Sequence, residues 1–255
     1  RARSEGVCAV AVTFDPHPIA LLRPEATPPP LTSIEHRAEL LGRYGVDVVL
    51  VIPTDRPFLS LTAEEFFAEI VRGELRARGL VEGPNFFFGR NRSGNVTVLK
   101  ALCAANGLSF DVVPPVTVDE QLVSSSVIRS LIEVGDIGHA MKLLGHSYRI
   151  RGEVSRGAER GRTLGFPTAN LSQVATLLPA NGVYAATVAT AVGRRPAAVN
   201  VGPNPTFGEA ARKVEVHILD FSDNLYGQTL DVDFIDRIRD VQRFDSVEQL
   251  RKQLE

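Results

Sequence analysis

Nearly continuous apolar stretches alternate with helix-start signals in the first half of the chain. Residues 7–14 (VCAVAVTF) and 46–52 (VDVVLVI) are almost uniformly apolar, which predicts strands buried on both faces of a parallel sheet. Residues 32–35 (TSIE) and 62–65 (TAEE) are capping-box patterns, and each predicts the first turn of a helix. This alternation of strand and helix predicts an open α/β sheet of Rossmann type.

Further loop, strand and helix signals occur in the middle of the chain. Residues 83–94 read as a loop that contains three phenylalanines, and residues 110–113 read as a strand closed by two prolines. Helices are predicted over about 126–134 and 136–144, the second of them ending at Gly145, because glycine is a common helix terminator.

After residue 146 the chain becomes rich in β-branched residues, with turn residues between short apolar runs. We therefore predict an α/β domain over residues 1–146 and an all-β domain, a barrel or a sandwich, over residues 147–255. A final helix is predicted to begin after Asp245 and Ser246. The predicted strands of the second domain cover residues 148–155, 182–192, 196–201, 213–219 and 229–238.

The overall composition describes a globular protein with little net charge. The 255 residues are 44% hydrophobic and 23% charged, and the net charge is −2, which gives no electrostatic footprint for nucleic acid or an anionic membrane. Only Cys8 and Cys103 are present, so neither a disulfide framework nor a cysteine zinc site is expected. With no secretory or membrane-spanning stretch apparent, we expect a cytoplasmic protein.

Glycines and basic side chains gather in residues 156–165. Gly157, Gly161 and Gly165 allow backbone amides to approach an anion closely. The arginines of the same stretch add the positive charge that a polyphosphate requires. The pattern predicts a phosphate site, and the alternative is a glycine-rich hairpin with solvated arginines. The arginines are Arg156, Arg160 and Arg162.

Two oxygen donors follow this stretch directly. Pro167 fixes the local backbone, so that Thr168 and Asn170 are presented in a stiff setting. A hydroxyl and an amide carbonyl are hard donors suited to Mg²⁺ and a nucleotide phosphate. No Gly-Lys-Ser/Thr follows the last glycine, so the pattern is not a Walker A loop.

Residues 161–170 (GRTLGFPTAN) resemble the G-F-P-T-A-N signature of riboflavin kinases. The resemblance implies a six-stranded β-barrel with a C-terminal helix that phosphorylates riboflavin with Mg-ATP. It also implies that Gly157, Arg160, Gly161, Arg162 and Gly165 surround the ATP phosphates, that Thr168 is the Mg²⁺/ATP ligand and that Asn170 is its neighbour.

Residues 213–219 carry the candidate catalytic group. Val214, Val216 and Ile218 share one face of this predicted strand, so Glu215 points the other way. A carboxylate there can accept a proton from a hydroxyl that is being phosphorylated, although the pattern alone favours a solvated barrel exterior. The segment resembles the one that carries the catalytic glutamate of riboflavin kinases.

Further motifs extend the resemblance along the barrel and into the first half of the chain. Residues 182–185 (GVYA) and 204–207 (NPTF) are similar to riboflavin kinase segments. Residues 13–18 (TFDPHP), 83–89 (GPNFFFG) and 124–129 (SSSVIR) are similar to motifs of bacterial FAD synthetases, in which a nucleotidyltransferase domain precedes the kinase. The resemblance implies an adenylyltransferase nucleotide or flavin site formed by His17, Asn85, Ser125, Ser126 and Arg129.

Each of these residues also fits an ordinary structural role. Ser125 and Ser126 stand at a helix start, where amides and hydroxyls favour phosphate, with Arg129 one turn further on. They fit equally well a simple serine cap followed by a surface arginine. His17 is equally a packed loop histidine, and Asn85 a turn residue.

Two departures from the FAD synthetase pattern concern the adenylyltransferase. Ser124-Ser125-Ser126 stands where the family has S-S-T, and no H-x-G-H sequence occurs in the chain. The family's H-x-G-H loop binds ATP phosphates near the N-terminus. The expectation is therefore a chain that lacks its natural N-terminal segment and makes FAD poorly, and the alternative is a naturally degenerate domain.

The sequence as a whole predicts a bifunctional riboflavin kinase/FMN adenylyltransferase that uses riboflavin, FMN and ATP, with Mg²⁺ as cofactor. The alternative from another class is a flavin- or nucleotide-binding regulatory module without turnover, which ADP release in the presence of riboflavin would distinguish. An oligonucleotide-binding barrel would require interleaved basic and aromatic residues on its strands, and these are not seen.

Overall fold

The computed structural model of the protein describes residues 1–157 and 165–254. Packing separates the chain into two compact units, each continuous in space but not in sequence. The first unit contains Arg1–Pro28 and Ala38–Leu122, and the second contains Pro29–Arg37 and Val123–Glu255. The division at residue 146 stays a prediction, because packing alone does not show which fragment folds independently.

Short strands and helices make up the chain as far as residue 144. The strands are β1 (Val10–Asp15), β2 (Val48–Pro53), β3 (Gly79–Glu82), β4 (Phe87–Phe88), β5 (Gly94–Asn95), β6 (Ser109–Val112), β7 (Thr117–Val118) and β8 (Gln121–Leu122). The helices are α1 (Ala2–Glu5), α2 (Pro18–Leu22), α3 (Ile34–Arg43), α4 (Arg56–Ser60), α5 (Ala63–Phe66), α6 (Val96–Ala105), α7 (Ser125–Val134) and α8 (Ile137–Leu144). Single 3₁₀ turns lie at Pro24–Ala26 and Arg90–Arg92.

The predicted parallel pairing in the first unit is confirmed. Strand β1 pairs in parallel with β2, and β3 pairs in parallel with β6. The prediction that β1 is buried on both faces is wrong, because Val10 and Val12 are 43% and 36% exposed. Among the described residues β1 pairs with β2 alone. The other edge of β1 has no strand partner there, and the side chains of Val10 and Val12 are partly exposed.

Helix α3 begins one residue later than its capping box predicts. The Ser33 hydroxyl accepts a hydrogen bond from the His36 amide at 3.2 Å, whereas Thr32 accepts one from the Arg37 side chain at 3.3 Å. Ser33 is therefore the residue that caps this helix, since its oxygen satisfies a first-turn N–H group.

The second capping box is confirmed. Thr62 and Glu65 exchange side-chain-to-backbone hydrogen bonds of 2.8 and 3.1 Å at the start of α5, which continues as π-helical turns over Phe67–Glu74. Its apolar face is buried with side chains of β4 and α6. The buried core of this unit contains Ala63, Phe66, Phe67, Val71, Phe88, Leu99 and Cys103.

The predicted barrel is confirmed as a closed, antiparallel barrel of six strands within the described residues. The strands are β9 (Arg149–Ser155), β10 (Ala169–Ser172), β11 (Gly182–Thr190), β12 (Gly193–Asn204), β13 (Glu209–Ile218) and β14 (Thr229–Arg239), in the spatial order β10-β13-β12-β11-β14-β9. A 3₁₀ turn at Pro205–Phe207 joins β12 to β13, and the predicted final helix is α9 (Val247–Leu254).

The inward side chains of the barrel are apolar, as the alternation along each strand requires. The inward residues that are at most 3% exposed include Ile150, Val154, Tyr184, Val188, Val199, Val201, Val214, Val216, Leu230, Val232 and Phe234.

Charged pairs connect β9 and β14 on the outside of the barrel. The Arg149 guanidinium donates two hydrogen bonds to Asp233, at 2.7 and 3.1 Å, and Arg151 donates two to Asp231, at 2.6 and 2.8 Å. Burial by itself raises the pKa of Asp233, but the hydrogen bonds from Arg149 and Arg194 outweigh it and hold that pKa below its usual range.

The second unit also includes helices and a segment that precede the barrel in sequence. Helix α8 packs against β14 and ends at Gly145, as predicted, with that residue in the left-handed region at φ 73°. The 29–37 segment is held by hydrogen bonds from the Leu177 amide to the Pro30 carbonyl and from Arg129 Nε to the Pro29 carbonyl, each 3.0 Å.

No helix among the described residues combines the length and the apolar character needed to cross a bilayer.

Candidate functional site in the barrel

A row of polar residues crosses four neighbouring strands of the barrel. Ser155 on β9 pairs with Asn170 on β10, Asn170 pairs with Glu215 on β13, and Glu215 pairs with Asn200 on β12. Residues that face each other across antiparallel strands have Cα atoms about 4.5–5.5 Å apart. Their apolar neighbours along each strand point into the barrel, so this polar row lies on its outer face.

Glu215 is half-buried and held by an amide chain. Val214 and Val216 on either side of it are buried in the barrel interior, which confirms the predicted alternation. The Asn204 side chain donates from Nδ2 to Glu215 Oε2 at 2.9 Å, and Asn200 donates from Nδ2 to Asn204 Oδ1 at 3.2 Å. Among the described residues, no donor contacts the other carboxylate oxygen, Oε1.

The Asn170 side chain rests directly on the backbone of Gly157. A Cβ atom built on Gly157 would lie 2.2 Å from Asn170 Nδ2 and 2.7 Å from its Cγ, which is far inside van der Waals contact. A side chain at position 157 would therefore displace the amide of Asn170.

The segment before β10 is tied to β13 through His217. The Pro167 carbonyl can only accept, so His217 Nδ1 carries the hydrogen in their 2.8 Å contact. The ring of Phe166 meets the His217 ring edge-on, with centroids 5.6 Å apart. These contacts fix the backbone on which Thr168 stands.

A cavity of about 480 Å³ opens beside Thr168. It lies against inward residues of β9 and β13 and is bordered by the loop that joins β13 to β14. That loop contributes Phe221, Ser222, Asp223, Asn224 and Tyr226 to the lining.

The loop between β13 and β14 was not among the sites predicted from the sequence. The sequence signal for this loop is Phe221 and Tyr226, which lie on either side of a Ser-Asp-Asn turn sequence. The structure adds a connection to the basic stretch, because the Arg156 guanidinium lies 5.9 Å from the centre of the Tyr226 ring.

The predicted phosphate residues are only partly within the described chain. Arg160, Gly161 and Arg162 lie outside the described residues. Gly165 is described and has φ +87°, a left-handed conformation that favours glycine.

The side-chain oxygens of Thr168 and Asn170 are donors of the kind that Mg²⁺ takes from proteins. No cluster of three or more His, Cys, Asp or Glu side chains suited to a metal occurs within the described residues. The oxygens of Thr168 and Asn170 are neutral and hard, and Mg²⁺ commonly takes few protein ligands while phosphates and water complete its shell.

Candidate residues for adenylyl transfer

His17 and Asn85 belong to the first unit. His17 caps α2, since its Nδ1 accepts a hydrogen bond from the Ile19 amide at 3.2 Å. Asn85 is exposed in the turn before β4. Both residues stand on loops that follow parallel strands, β1 and β3 respectively, the end of such sheets at which ligands generally bind.

Ser125, Ser126 and Arg129 belong to the second unit and open helix α7. The helix cap is Ser124, whose hydroxyl accepts from the Val127 amide at 3.3 Å. Ser125 and Ser126 are exposed in the first turn, whereas Arg129 uses its Nε to hold the Pro29 carbonyl. At least part of the role of Arg129 is therefore structural.

Comparison with known proteins

The chain combines parallel strand pairs in its first unit with a closed six-stranded barrel in its second. A family model described as "Riboflavin kinase" matches residues 144–255, and one described as "FAD synthetase" matches residues 1–127. Together these models account for nearly the whole sequence.

Curated relatives carry both activities in their names. The chain is 34% identical over 256 residues to the bifunctional riboflavin kinase/FMN adenylyltransferase of Escherichia coli strain K12, covering 99% of this chain and 81% of that protein. It is 35% identical over 243 residues to the protein of the same name from Haemophilus influenzae, covering 95% of this chain and 79% of that one. The chain belongs to the bifunctional riboflavin kinase/FMN adenylyltransferase family.

A solved structure has the same fold over the same extent. Its title describes a macrolide-efflux protein from Streptococcus pneumoniae. The two structures superpose with a TM-score of 0.83 and 35% sequence identity, and the match covers 99% of this chain and 83% of that chain. Its title names a different activity for that protein, and the family of the present chain rests on the two family models and the named relatives.

Proposed function

We propose that the barrel carries riboflavin kinase chemistry at the polar row and in the cavity beside Thr168. As a member of its family the chain is a bifunctional enzyme. One reaction transfers the γ-phosphoryl group of ATP to riboflavin, giving FMN and ADP. The other transfers AMP from ATP to FMN, giving FAD and pyrophosphate.

The observation that carries the kinase site is the pairing of Asn170 with Glu215. Their motifs are far apart in sequence, and the barrel register brings the nucleotide-site amide beside the candidate base. Thr168, two residues before Asn170, lines the cavity. Thr168 thus connects the cavity to the polar row along the chain.

The cavity is suited to the nucleotide. Its volume of about 480 Å³ falls within the usual 300–1,000 Å³ of ligand sites. Phe221, Tyr226 and Thr168 all line it, so the two rings can contact a base and the Thr168 hydroxyl can meet a phosphate. Mg²⁺, when bound with ATP, neutralises phosphate charge, and Thr168 and Asn170 would be its protein oxygen donors.

Glu215 acts on the acceptor alcohol. Because Asn204 occupies Oε2, the proton of the riboflavin 5′-hydroxyl is accepted by Oε1 as the hydroxyl oxygen attacks the γ-phosphorus. The bond between that phosphorus and the bridging oxygen of ADP breaks in the same displacement. ADP leaves with that oxygen, and FMN remains.

His17, Asn85, Ser125, Ser126 and Arg129 are our proposal for contacts with the nucleotide or flavin of the adenylyl-transfer reaction. Ser125 and Ser126 support a phosphate contact, because they expose first-turn amides of a ten-residue helix. Their hydroxyls lie at the same helix start.

A cytoplasmic location also remains a proposal. It is supported by the unpaired thiols of Cys8 and Cys103.

Turnover separates the enzyme from a binding module. The full chain is mixed with riboflavin, ATP and Mg²⁺, and FMN and ADP are measured over time. We expect one ADP for each molecule of FMN formed, counting the FMN that is converted to FAD, through many turnovers. Binding of riboflavin and ATP without release of ADP would instead support the regulatory-module alternative.

A further inference from the structure

A directed chain of amides ends at the Glu215 carboxylate. An ionised carboxylate only accepts hydrogen bonds, so the group that Asn204 presents to it must be the NH₂. Its carbonyl oxygen then points away and accepts from Asn200 Nδ2 at 3.2 Å. The carboxylate therefore sets which way the Asn204 amide faces, and Asn200 satisfies the Asn204 carbonyl oxygen.

The loop that follows β12 positions Asn204 for this contact. The direct strand partner of Glu215 is Asn200, and Asn204 lies four residues further along. The pairing is irregular between Gly202 and Asn204, where a bulge bends a strand and re-aims its side chains. The next residue, Pro205, begins a 3₁₀ turn, so Asn204 is held where the strand ends.

The turn that joins β12 to β13 is also bound to the C-terminal part of the chain. The Thr206 hydroxyl accepts a hydrogen bond from the Phe244 amide at 3.1 Å, which ties the turn to the chain just before α9. An amide placed at the end of such a fixed turn loses little conformational entropy when it binds the carboxylate.

We propose that Asn204 is a positioning residue of the kinase reaction, with its amide oxygen bound by Asn200, and that it holds Glu215 through Oε2 so that Oε1 faces the acceptor hydroxyl. This inference rests on the proposed role of Glu215 as the base. Without Asn204 the carboxylate samples several rotamers, and only a fraction of them direct an oxygen at the alcohol.

The first test replaces Asn204 with alanine in the full chain. We expect kcat for FMN formation to fall on the order of 10- to 100-fold, the usual cost of a lost supporting contact. The KM for ATP should change by less than about twofold, because Asn204 acts on the acceptor side. The proposal would be contradicted by an unchanged kcat, including the case in which only the KM for ATP rises.

A matched control removes a similar contact elsewhere on the barrel. Gln173 donates from its side-chain amide to Glu153 Oε2 at 3.1 Å, so Glu153→Ala deletes another amide–carboxylate pair. We expect kcat of this variant to equal that of the parent chain. A loss equal to that of Asn204→Ala would mean that general damage to the barrel accounts for both.

The second test is a double-mutant cycle with Glu215→Gln. If Asn204 works through the carboxylate, adding Asn204→Ala to Glu215→Gln lowers kcat little further, because the base is already absent. If Asn204 had a purely structural role, the fold-losses in kcat of the two single variants would multiply in the double variant. That outcome overturns the proposal.

The cycle also separates failure of the proposal from failure of the proposed function. Full turnover by Glu215→Gln would refute the base itself, whatever Asn204→Ala does. A large loss in Glu215→Gln together with an unaffected Asn204→Ala would refute the positioning role alone.

Discussion

Asn170 and Glu215 are direct partners across strands β10 and β13, although they belong to separate sequence motifs. Antiparallel partners on one face of a sheet are neighbours whatever their separation in sequence. A nucleotide held near Asn170 would therefore lie next to the carboxylate that we propose as the base. This relationship underlies the predictions for the kinase.

The Glu215 and Thr168 side chains should have separable effects. Glu215→Gln should lower kcat by about 10²–10⁴-fold, the usual worth of general-base assistance, with nearly unchanged ATP affinity. Thr168→Ala should instead weaken Mg-ATP binding, because it removes an oxygen donor at the cavity. Steady-state kinetics and ATP titration measure both, and the same pattern in the two variants would argue against their separate roles.

Gly157→Ala should impair the kinase through sterics alone. The new methyl group would lie 2.2 Å from Asn170 Nδ2, so the Asn170 amide must move away from the polar row. We expect at least about a tenfold loss in kcat/KM for ATP. Gly42→Ala is the control, because a Cβ at Gly42 meets nothing within 4 Å; equal losses in the two variants would contradict the steric mechanism.

Asp233→Asn should destabilise the barrel at neutral pH. Arg149 and Asp233 have side chains only 9% and 5% exposed, and removing one partner of a buried pair costs about 3–5 kcal/mol. Chemical unfolding at pH 7 measures the loss. A change below about 0.5 kcal/mol, typical of exposed sites, would show that the pair contributes little.

The pH dependence of that difference follows from the lowered pKa of Asp233. A carboxyl whose folded-state pKa is depressed contributes its full stability above the unfolded-state pKa of about 3.9. That contribution is lost as the pH falls through the lower pKa of the folded state. The stability difference between the parent chain and Asp233→Asn should therefore shrink below about pH 4, and a constant difference from pH 7 to pH 2 would contradict this.

Fragments should reveal how much of the second unit the barrel needs. Helix α8 packs against β14, and its Ile137, Ala140 and Leu143 are buried. Residues 147–255 alone would expose the surface that these side chains cover. We expect residues 123–255 to unfold at a higher temperature than residues 147–255, measured by circular dichroism. Equal midpoints would instead support the domain boundary at residue 146.

Local patterns in the sequence determined much of the architecture. Period-two alternation around Glu215 correctly placed Val214 and Val216 inside, because successive side chains of a strand point to opposite faces. The capping box at Thr62 and the glycine at 145 set helix ends through contacts within a single turn, and such contacts are visible in sequence. The family motifs identified both halves of the enzyme.

Tertiary structure decided what lies next to what. Strand β10 was not predicted from residues 169–172, since a four-residue strand in a glycine-rich region is stabilised by its partners β9 and β13 rather than by its own propensity. Register then placed Asn170 beside Glu215, and a bulge brought Asn204 to the same carboxylate. These contacts join residues that are distant in the chain, and their geometry comes from closure of the barrel, which no local pattern encodes.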